Sequence, residues 1–424
     1  MMETSPMTML QGQQQARGTA SVQAQQQGGP VAGESVVFTT RSSGRLGPLT
    51  VAQLIAVELA LTIALASLAF GTIALAVGGG IALIVLVVVF WRKGDYWWYQ
   101  TWPLKSRMRR RIRALDPEQL TEVLHRIAPD LGITGVEDRD ENVGIGHDNN
   151  GWFTVIEIGT TDEGTKAVPL ERLERLFDET SVPVTAVQLV GHTTPVGLAA
   201  YDNSPASRSY RELLGDYPAV VHHKAWLSVR LGARDAREAT AERGGEVDGV
   251  YKALASTAQR VSKLLGNVGV PNRILDAEGV REAVQQSLGV AFAPVPGERT
   301  AEEWNHWYAD GLRHVAYRIT KWPTDAVALH RTVDALSGVP AAFVTVSIVV
   351  TAGANGKVNP DGRVTGRQLA VDAIVRLALD QASWESAQNQ LLNVADQLGV
   401  RLQRLDGEHG PAAYASAPTG GGPR

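Results

Sequence analysis

The run from Val51 to Trp91 constrains this chain more than any other stretch. It is about forty residues long, almost wholly apolar, and carries one charge, Glu58. A helix crosses the ~30 Å hydrocarbon core of a bilayer with about 20 residues. At ~1.5 Å per residue, a single helix over the whole run would be roughly 60 Å long, twice what a crossing needs. Two helices joined by a tight turn fit, with the break at Gly71 and Thr72 and spans at about 51–69 and 73–91. A break at Gly78, Gly79 and Gly80 would leave too few residues before Trp91 to cross. Glycine inside a membrane helix lets neighbouring backbones approach, so the triplet reads as a packing surface.

The residues just after the run fix its orientation. Trp91, Tyr96, Trp97, Trp98, Tyr99 and Trp102 come first, then Lys105, Arg107, Arg109, Arg110, Arg111 and Arg113. Aromatic rings with one dry face and one wet edge suit the headgroup layer, and clustered Lys and Arg mark the cytoplasmic side. The same cations suit anionic lipid headgroups. Two crossings place both termini in the cytoplasm, so the expectation is a two-span protein of the plasma membrane. The apolar run starts too far into the chain and is too long for a cleaved signal peptide.

Charge and cysteine content narrow the function. A formal net charge of −4 argues against wholesale nucleic-acid binding. The absence of cysteine removes disulfides, thiolate-zinc sites and a cysteine nucleophile. Five parts result: a Gln/Gly/Ser-rich segment 1–47, read as disordered; the hairpin 48–92; an aromatic and basic collar 93–115; a folded region 116–405; and a Gly/Pro/Ala-rich tail 406–424, read as flexible.

In the folded region strand and helix patterns alternate. Asp116-Pro117 opens an amphipathic helix through Ile127, and Leu170 to Phe177 has helical spacing. Helices are also expected over Val250 to Leu265, Val280 to Leu288, Asp325 to Leu336 and Trp384 to Leu398. Strands are expected over Gly151 to Ile158, Val184 to Val190, Val220 to Leu231, Val268 to Leu275, His314 to Thr320, Phe343 to Val350, Leu369 to Leu379 and Val400 to Leu405. Asn359-Pro360-Asp361-Gly362 marks the turn after Phe343–Val350, and Leu369–Leu379 is expected to pair with that strand, although its composition also permits helix. The fold class is therefore a mixed α/β (α+β) cytoplasmic domain behind a transmembrane hairpin. No repeat of fixed period is visible.

The layout resembles a known family. A two-span hairpin near the N-terminus, the exit Trp91-Arg92-Lys93-Gly94-Asp95-Tyr96-Trp97-Trp98-Tyr99-Gln100 and a mixed domain of about 300 residues together look like EccE, a membrane component of the actinobacterial type VII (ESX) secretion machinery. Asn150-Gly151-Trp152 at a strand entry and Pro205-Ala206-Ser207-Arg208-Ser209-Tyr210-Arg211-Glu212-Leu213 in a loop are further echoes. The resemblance implies a structural subunit that assembles with EccB-, EccC- and EccD-like proteins, EccC carrying the ATPase motor. It brings no catalytic residue, cofactor or metal.

The residues agree with a non-enzyme. There is no GxxxxGK[ST] phosphate loop, HExxH zinc motif or GxSxG elbow. His222 and His223 are adjacent in an expected strand and so point to opposite faces. His306 and His314 lie among Trp304 and Trp307, which reads as an aromatic patch. Asp138-Arg139-Asp140 supports a rival reading. It is a DxD, the carboxylate pair with which glycosyltransferases hold a divalent cation on a sugar nucleotide. A membrane-anchored glycosyltransferase is the second hypothesis. Glu58 is costly inside a span, and either meets a polar group on a partner's helix or is tolerated by local water.

Overall fold

The computed structural model describes residues 38–40, 45–46, 49–93, 96–114, 123–139, 141–159, 177, 184–195, 221–236, 247–290, 300–323, 326–352, 357–358, 364–365 and 369–421. In chain order the elements begin with β1 (Phe38–Thr40), β2 (Arg45–Leu46), β3 (Leu49–Thr50), α1 (Val51–Leu68), α2 (Thr72–Phe90), β4 (Arg92–Lys93), β5 (Tyr96–Trp97), α3 (Trp98–Ala114) and α4 (Val123–Ile127). Next come β6 (Gly132–Asp138), β7 (Glu141–Asp148), β8 (Gly151–Ile158), β9 (Ala186–Pro195), β10 (Val221–Gly232), α5 (Val247–Asn267), β11 (Asn272–Ile274) and α6 (Ala277–Leu288). The remainder are β12 (Thr300–Glu302), β13 (Trp307–Ala309), β14 (Leu312–Lys321), α7 (Ala326–Ser337), β15 (Phe343–Ala352), β16 (Lys357–Val358), β17 (Val364–Thr365), β18 (Leu369–Leu379), α8 (Trp384–Gln397), β19 (Arg401–Arg404) and α9 (His409–Ser416).

The apolar run folds as a helical hairpin broken at Gly71, whose φ of 95° suits glycine. Small side chains set the approach of the two helices: Ala56, Ala60, Ser67, Gly78 and Ala82 are buried. A Cβ on Gly78 would lie 2.5 Å from Cβ of Ser67, whereas Gly79 and Gly80 face open space. Among the described residues, Thr72–Phe90 is long and apolar enough to cross a membrane, and Gln53–Leu68 is a shorter apolar helix.

A thirteen-stranded sheet forms the core of the folded region, in the order β12-β13-β14-β18-β15-β9-β10-β8-β7-β6, with β1 on β18, β11 on β8 and β19 on β14. The pairings within it are antiparallel except β1 with β18. The architecture is therefore mixed α and β, dominated by one antiparallel sheet. Alternation along each strand gives the sheet two unlike faces. One is apolar: Val187, Leu227, Val229, Val346, Val375 and Tyr317 pack against Val261 and Leu265 of α5, Leu336 of α7 and Leu391 of α8. The other carries Gln188, His192, Ser228, Arg230, His314, Thr345, Ser347 and Arg376, all buried. α6 and α9 cover it, through Val280 and Ala283 on Phe153 and Trp226, and through Ala412 and Ala415 on Ala316 and Ile374.

The sheet is built twice. The meander β6-β7-β8 is followed by β9, β10, α5, β11 and α6; the meander β12-β13-β14 is followed by α7, β15, β18, α8, β19 and α9. β11 pairs with the end of β8 as β19 pairs with the end of β14, and the halves join where β9 meets β15. Gly269 and Gly399 both take a left-handed φ, 73° and 68°, at the turn after α5 and α8. The amide of Leu275 donates to Val155, as that of Leu405 donates to Ala316. A sequence trace accompanies the geometry: Gly-Val, four residues, Leu-Asp, one residue, Glu occurs at 269–278 and again at 399–408.

Several expectations change. The strand expected over Val268 to Leu275 is only Asn272–Ile274, because Val268 and Gly269 close the last turn of α5. Glu137 and Asp138 end β6 and Glu141 opens β7, with Asp138 opposite Glu141. Within the segment read as disordered, Phe38–Thr40 forms a strand on β18. Of the tail read as flexible, the described residues 406–421 form a buried helix flanked by turns: His409, Ala413, Ala417 and Thr419 are fully enclosed. Its small side chains let the backbone lie directly on the sheet, since a Cβ on Gly420 would meet Arg230 and one on Gly421 would meet Val349, each at 2.6 Å. The helix expected from Asp116 is described from Val123 on. Most of 170–177, the loop 205–213 and the turn 359–362 lie outside the described residues.

Candidate functional site

Two features stand out: the junction between the hairpin and the sheet, and the polar layer beneath the C-terminal segment. At the junction α3 carries Trp98, Trp102, Arg109 and Arg113, whose spacing of four, seven and four residues puts them on one face. All four are exposed, Trp102 at 80%. Trp91 is exposed as well, and Phe90 meets Trp97 edge-on at 6.1 Å with Arg92 over the Trp97 ring. Arg107 and Arg110 are exposed, and Arg110 reaches Ser106; Tyr99 is half-buried.

Three collar residues turn to the folded region instead of outward. Arg111 donates from Nε and Nη2 to the two carboxylate oxygens of Glu302, at 3.2 and 2.7 Å, and from Nη2 to the carbonyl of Gly407 at 2.6 Å. Lys105 lies 5.2 Å over the ring of Trp304. The buried Tyr96 donates its hydroxyl to the carbonyl of Arg404 at 2.8 Å. Tyr96 and Arg111 were expected at lipid headgroups; here both are bonded to protein, because Glu302 and the carbonyls of Arg404 and Gly407 accept from the collar.

In the polar layer, Arg376 is wholly buried with no carboxylate among its bonded partners. It donates to Ser416 Oγ at 2.8 Å, His314 Nδ1 at 2.9 Å, the carbonyl of Ser287 and Thr345 Oγ1, and lies over the Phe343 ring. Burial pulls its pKa down to about 9, so the guanidinium keeps its charge at neutral pH. Because arginine only donates, His314 must accept at Nδ1 and carry its proton on Nε2. Burial, reinforced by Arg376, holds His314 well below the ordinary histidine value and His192 at about 3. His409 takes the amide proton of Ala316 on Nδ1 and is also held down by burial. A second cation, Arg230, is paired bidentately with Asp148, both side chains 6% exposed, and donates from Nε to the carbonyl of Thr419. Burial alone would raise Asp148, but the hydrogen bonds and charge of Arg230 hold its carboxyl below the usual range. Tyr414 also donates to Asp148, and Gln188 bonds Ser347, Ala415 and Gly421. These bonds tie the C-terminal segment to strands from both halves of the sheet.

The other candidate residues are scattered. Asp138 ends β6, Arg139 takes a φ of 51° in the turn, and Asp140 lies outside the described residues. Among the described residues no three His, Cys, Asp or Glu side chains gather as a metal site. His222 and His223 are exposed neighbours on β10, the latter bonded to Thr193. His306 packs on Trp384, and His314 on Trp307. Glu58 is exposed on α1, its carbonyl accepting from Thr62. Sequence reasoning missed Asp148, Arg230 and Arg376; for the two arginines the signal available was a charged residue inside a largely apolar strand run, whereas Asp148, at the end of β7, gave none.

Residues 219–319 match the family model described as "Putative type VII ESX secretion system translocon, EccE". That stretch holds β10, which lies next to β9 in the sheet, then α5, β11, α6 and the meander through β14 up to Ile319. No curated protein is matched. Among solved structures, an unknown protein from Galdieria sulphuraria is similar at 10% identity, covering 52% of this chain and 98% of its own, with a TM-score of 0.16. Aminoacylhistidine dipeptidase from Vibrio alginolyticus is similar at 11% identity, covering 59% and 43%, with a TM-score of 0.13. Overlaps that slight carry no weight for fold or function. Over about a quarter of its length, from β10 to the edge meander β12-β13-β14, this chain is similar to the EccE family model.

Proposed function

We propose that the protein is a non-catalytic membrane subunit of a type VII (ESX) secretion translocon. The match over 219–319 carries this reading, since it falls on the strands and helices that build the sheet. In this reading α1 and α2 both cross the plasma membrane, and both termini lie in the cytoplasm. Large apolar side chains exposed around both helices, such as Leu61 and Leu65 on α1 and Ile73 and Leu83 on α2, support immersion in lipid. α1 is short for a crossing, and a thinned bilayer or a partner helix would accommodate it. The outward stripe of α3 then lies at the headgroups. The folded region packs against the other translocon subunits, EccB-, EccC- and EccD-like, and holds geometry without turnover or cofactor.

The test replaces Asp138 and Asp140 with Ala in the full chain and measures secretion alongside cation-dependent sugar-nucleotide binding. Secretion unchanged, with no sugar-nucleotide binding by either protein, is expected. Binding by the parent that the substitutions abolish, while secretion continues, would replace the scaffold with an enzyme.

A further inference from the structure

We propose that α3 is a two-sided bracket: Arg111 latches it to the folded region, and Trp98, Trp102, Arg109 and Arg113 set it on an anionic phospholipid surface. This rests on the reading of α1 and α2 as the membrane anchor, and replaces a flexible tether with a fixed mount.

The latch is a built socket. Glu302 on β12, Trp304 after it and Gly407 in the turn after β19 each receive a collar residue. The Arg111–Glu302 pair is bidentate and partly screened from water, with side-chain exposures of 32% and 11%. Gly407 has φ of 75°, and a Cβ there would lie 2.6 Å from the Trp304 ring. Glycine is thus required twice, for the backbone and for the close approach of the tryptophan.

The internal duplication sharpens the point. In the first half the residue equivalent to Gly407 is Ala277, and the neighbour facing it is Gly135 on β6. The sheet therefore has two similar corners. In the corner that meets the collar, glycine stands where the other corner has alanine, and Trp304 stands where it has glycine. The glycine makes room for the tryptophan, and the tryptophan gives Lys105 an aromatic face to rest on.

The mount has a second attachment. β1 ends at Thr40, shortly before α1, and pairs in parallel with Leu369–Val371 of β18. Tyr96, shortly after α2, is bonded to Arg404. The chain is thus tied to the sheet both before it enters the hairpin and after it leaves. On the side of α3 away from Arg111 the two tryptophans and two arginines form a line suited to a negatively charged lipid surface, with Lys105 at its edge reaching back to Trp304.

The experiment uses the full chain in vesicles of phosphatidylcholine and of phosphatidylglycerol, the latter also prepared with brominated acyl chains. Arg111→Glu should raise amide exchange across Trp98–Ala114 about tenfold or more in both lipids, since a charged, bidentate contact is lost. Adding Glu302→Arg should restore the slow exchange, which also shows that the chain still folds. Arg109→Glu with Arg113→Glu should leave that exchange unchanged in phosphatidylcholine, yet weaken quenching of Trp98 and Trp102 by brominated phosphatidylglycerol. Unchanged exchange in Arg111→Glu, or no rescue by Glu302→Arg, would overturn the latch. A working latch without bromolipid quenching of these tryptophans would overturn the lipid side. Extraction of the chain from membranes by carbonate would instead remove the anchor reading on which both depend.

Discussion

Asp148→Ala removes the carboxylate that, among the described residues, neutralises Arg230 inside the polar layer. Both side chains are 6% exposed, and Asp148 accepts from Arg230 Nη1 and Nη2, from the Tyr414 hydroxyl and from the Asn150 amide. The alanine leaves a buried guanidinium with the Thr419 carbonyl as its hydrogen-bond acceptor. Breaking a buried pair on one side costs about 3–5 kcal/mol, most of it the penalty of the abandoned charge. Loss of the Tyr414 bond adds about 1 kcal/mol. At roughly 2–4 °C per kcal/mol for a domain of this size, the full chain in detergent should melt roughly 10 °C lower, followed by intrinsic tryptophan fluorescence. Because Thr419 and Tyr414 belong to the C-terminal segment, amide exchange over 409–421 should rise ahead of global unfolding. Replacing both partners, Asp148→Leu with Arg230→Met, removes the charge along with its partner and should recover most of the loss. A shift of less than about 1 kcal/mol in Asp148→Ala, or a double variant no better than the single, would refute the reasoning.

Three further outcomes are expected. Gly78→Leu should force α1 and α2 apart at Ser67 and cost about 1–3 kcal/mol of hairpin stability, whereas Gly79→Leu should be tolerated; thermal stability in detergent reads both. Acid should destabilise the sheet. His192, His314 and His409 are held below the ordinary histidine value when folded, so below pH ~6.5 the unfolded chain takes up protons that the folded chain does not. Stability should be level from that pH up to about 8 and fall by as much as about 1.4 kcal/mol per pH unit for each histidine below it, down to about pH 3 for His192; a denaturation midpoint that does not move between pH 7.5 and pH 5 would contradict this. Glu58→Leu should leave membrane insertion intact and lower recovery of partner subunits in detergent, and unchanged recovery would remove Glu58 as an intramembrane contact.

Much of the sheet was legible because its strands alternate. In Leu369–Leu379 the apolar face Val371, Ala373, Val375 and Leu377 is set off from Asp372 and Arg376, and the pairing with Phe343–Ala352 follows from that pattern. The second face was not legible, because its polar residues look like solvent-facing positions until a cover is known. That cover was hidden in turn: Ala, Gly and Pro after Leu405 resemble a loose end, yet small residues are what a backbone needs to lie flat on Gln188, Arg230 and Arg376. The duplication was hard to see because the two halves share strand order and hydrogen-bond geometry, with short strings in common such as that at 269–278 and 399–408. In the collar, composition announced an aromatic and basic segment but neither its helix nor which arginine faces Glu302, since that depends on the register of α3 against β12.

The central claim is that this chain works as a fixed part of a larger secretion machine. Affinity capture of the full chain from gently solubilised native membranes, followed by mass spectrometry, tests it most directly. The account predicts co-purification of other translocon subunits, among them a polytopic membrane protein and an ATPase with tandem nucleotide-binding domains. Recovery of the chain by itself from those membranes, with a sugar nucleotide bound, would contradict it.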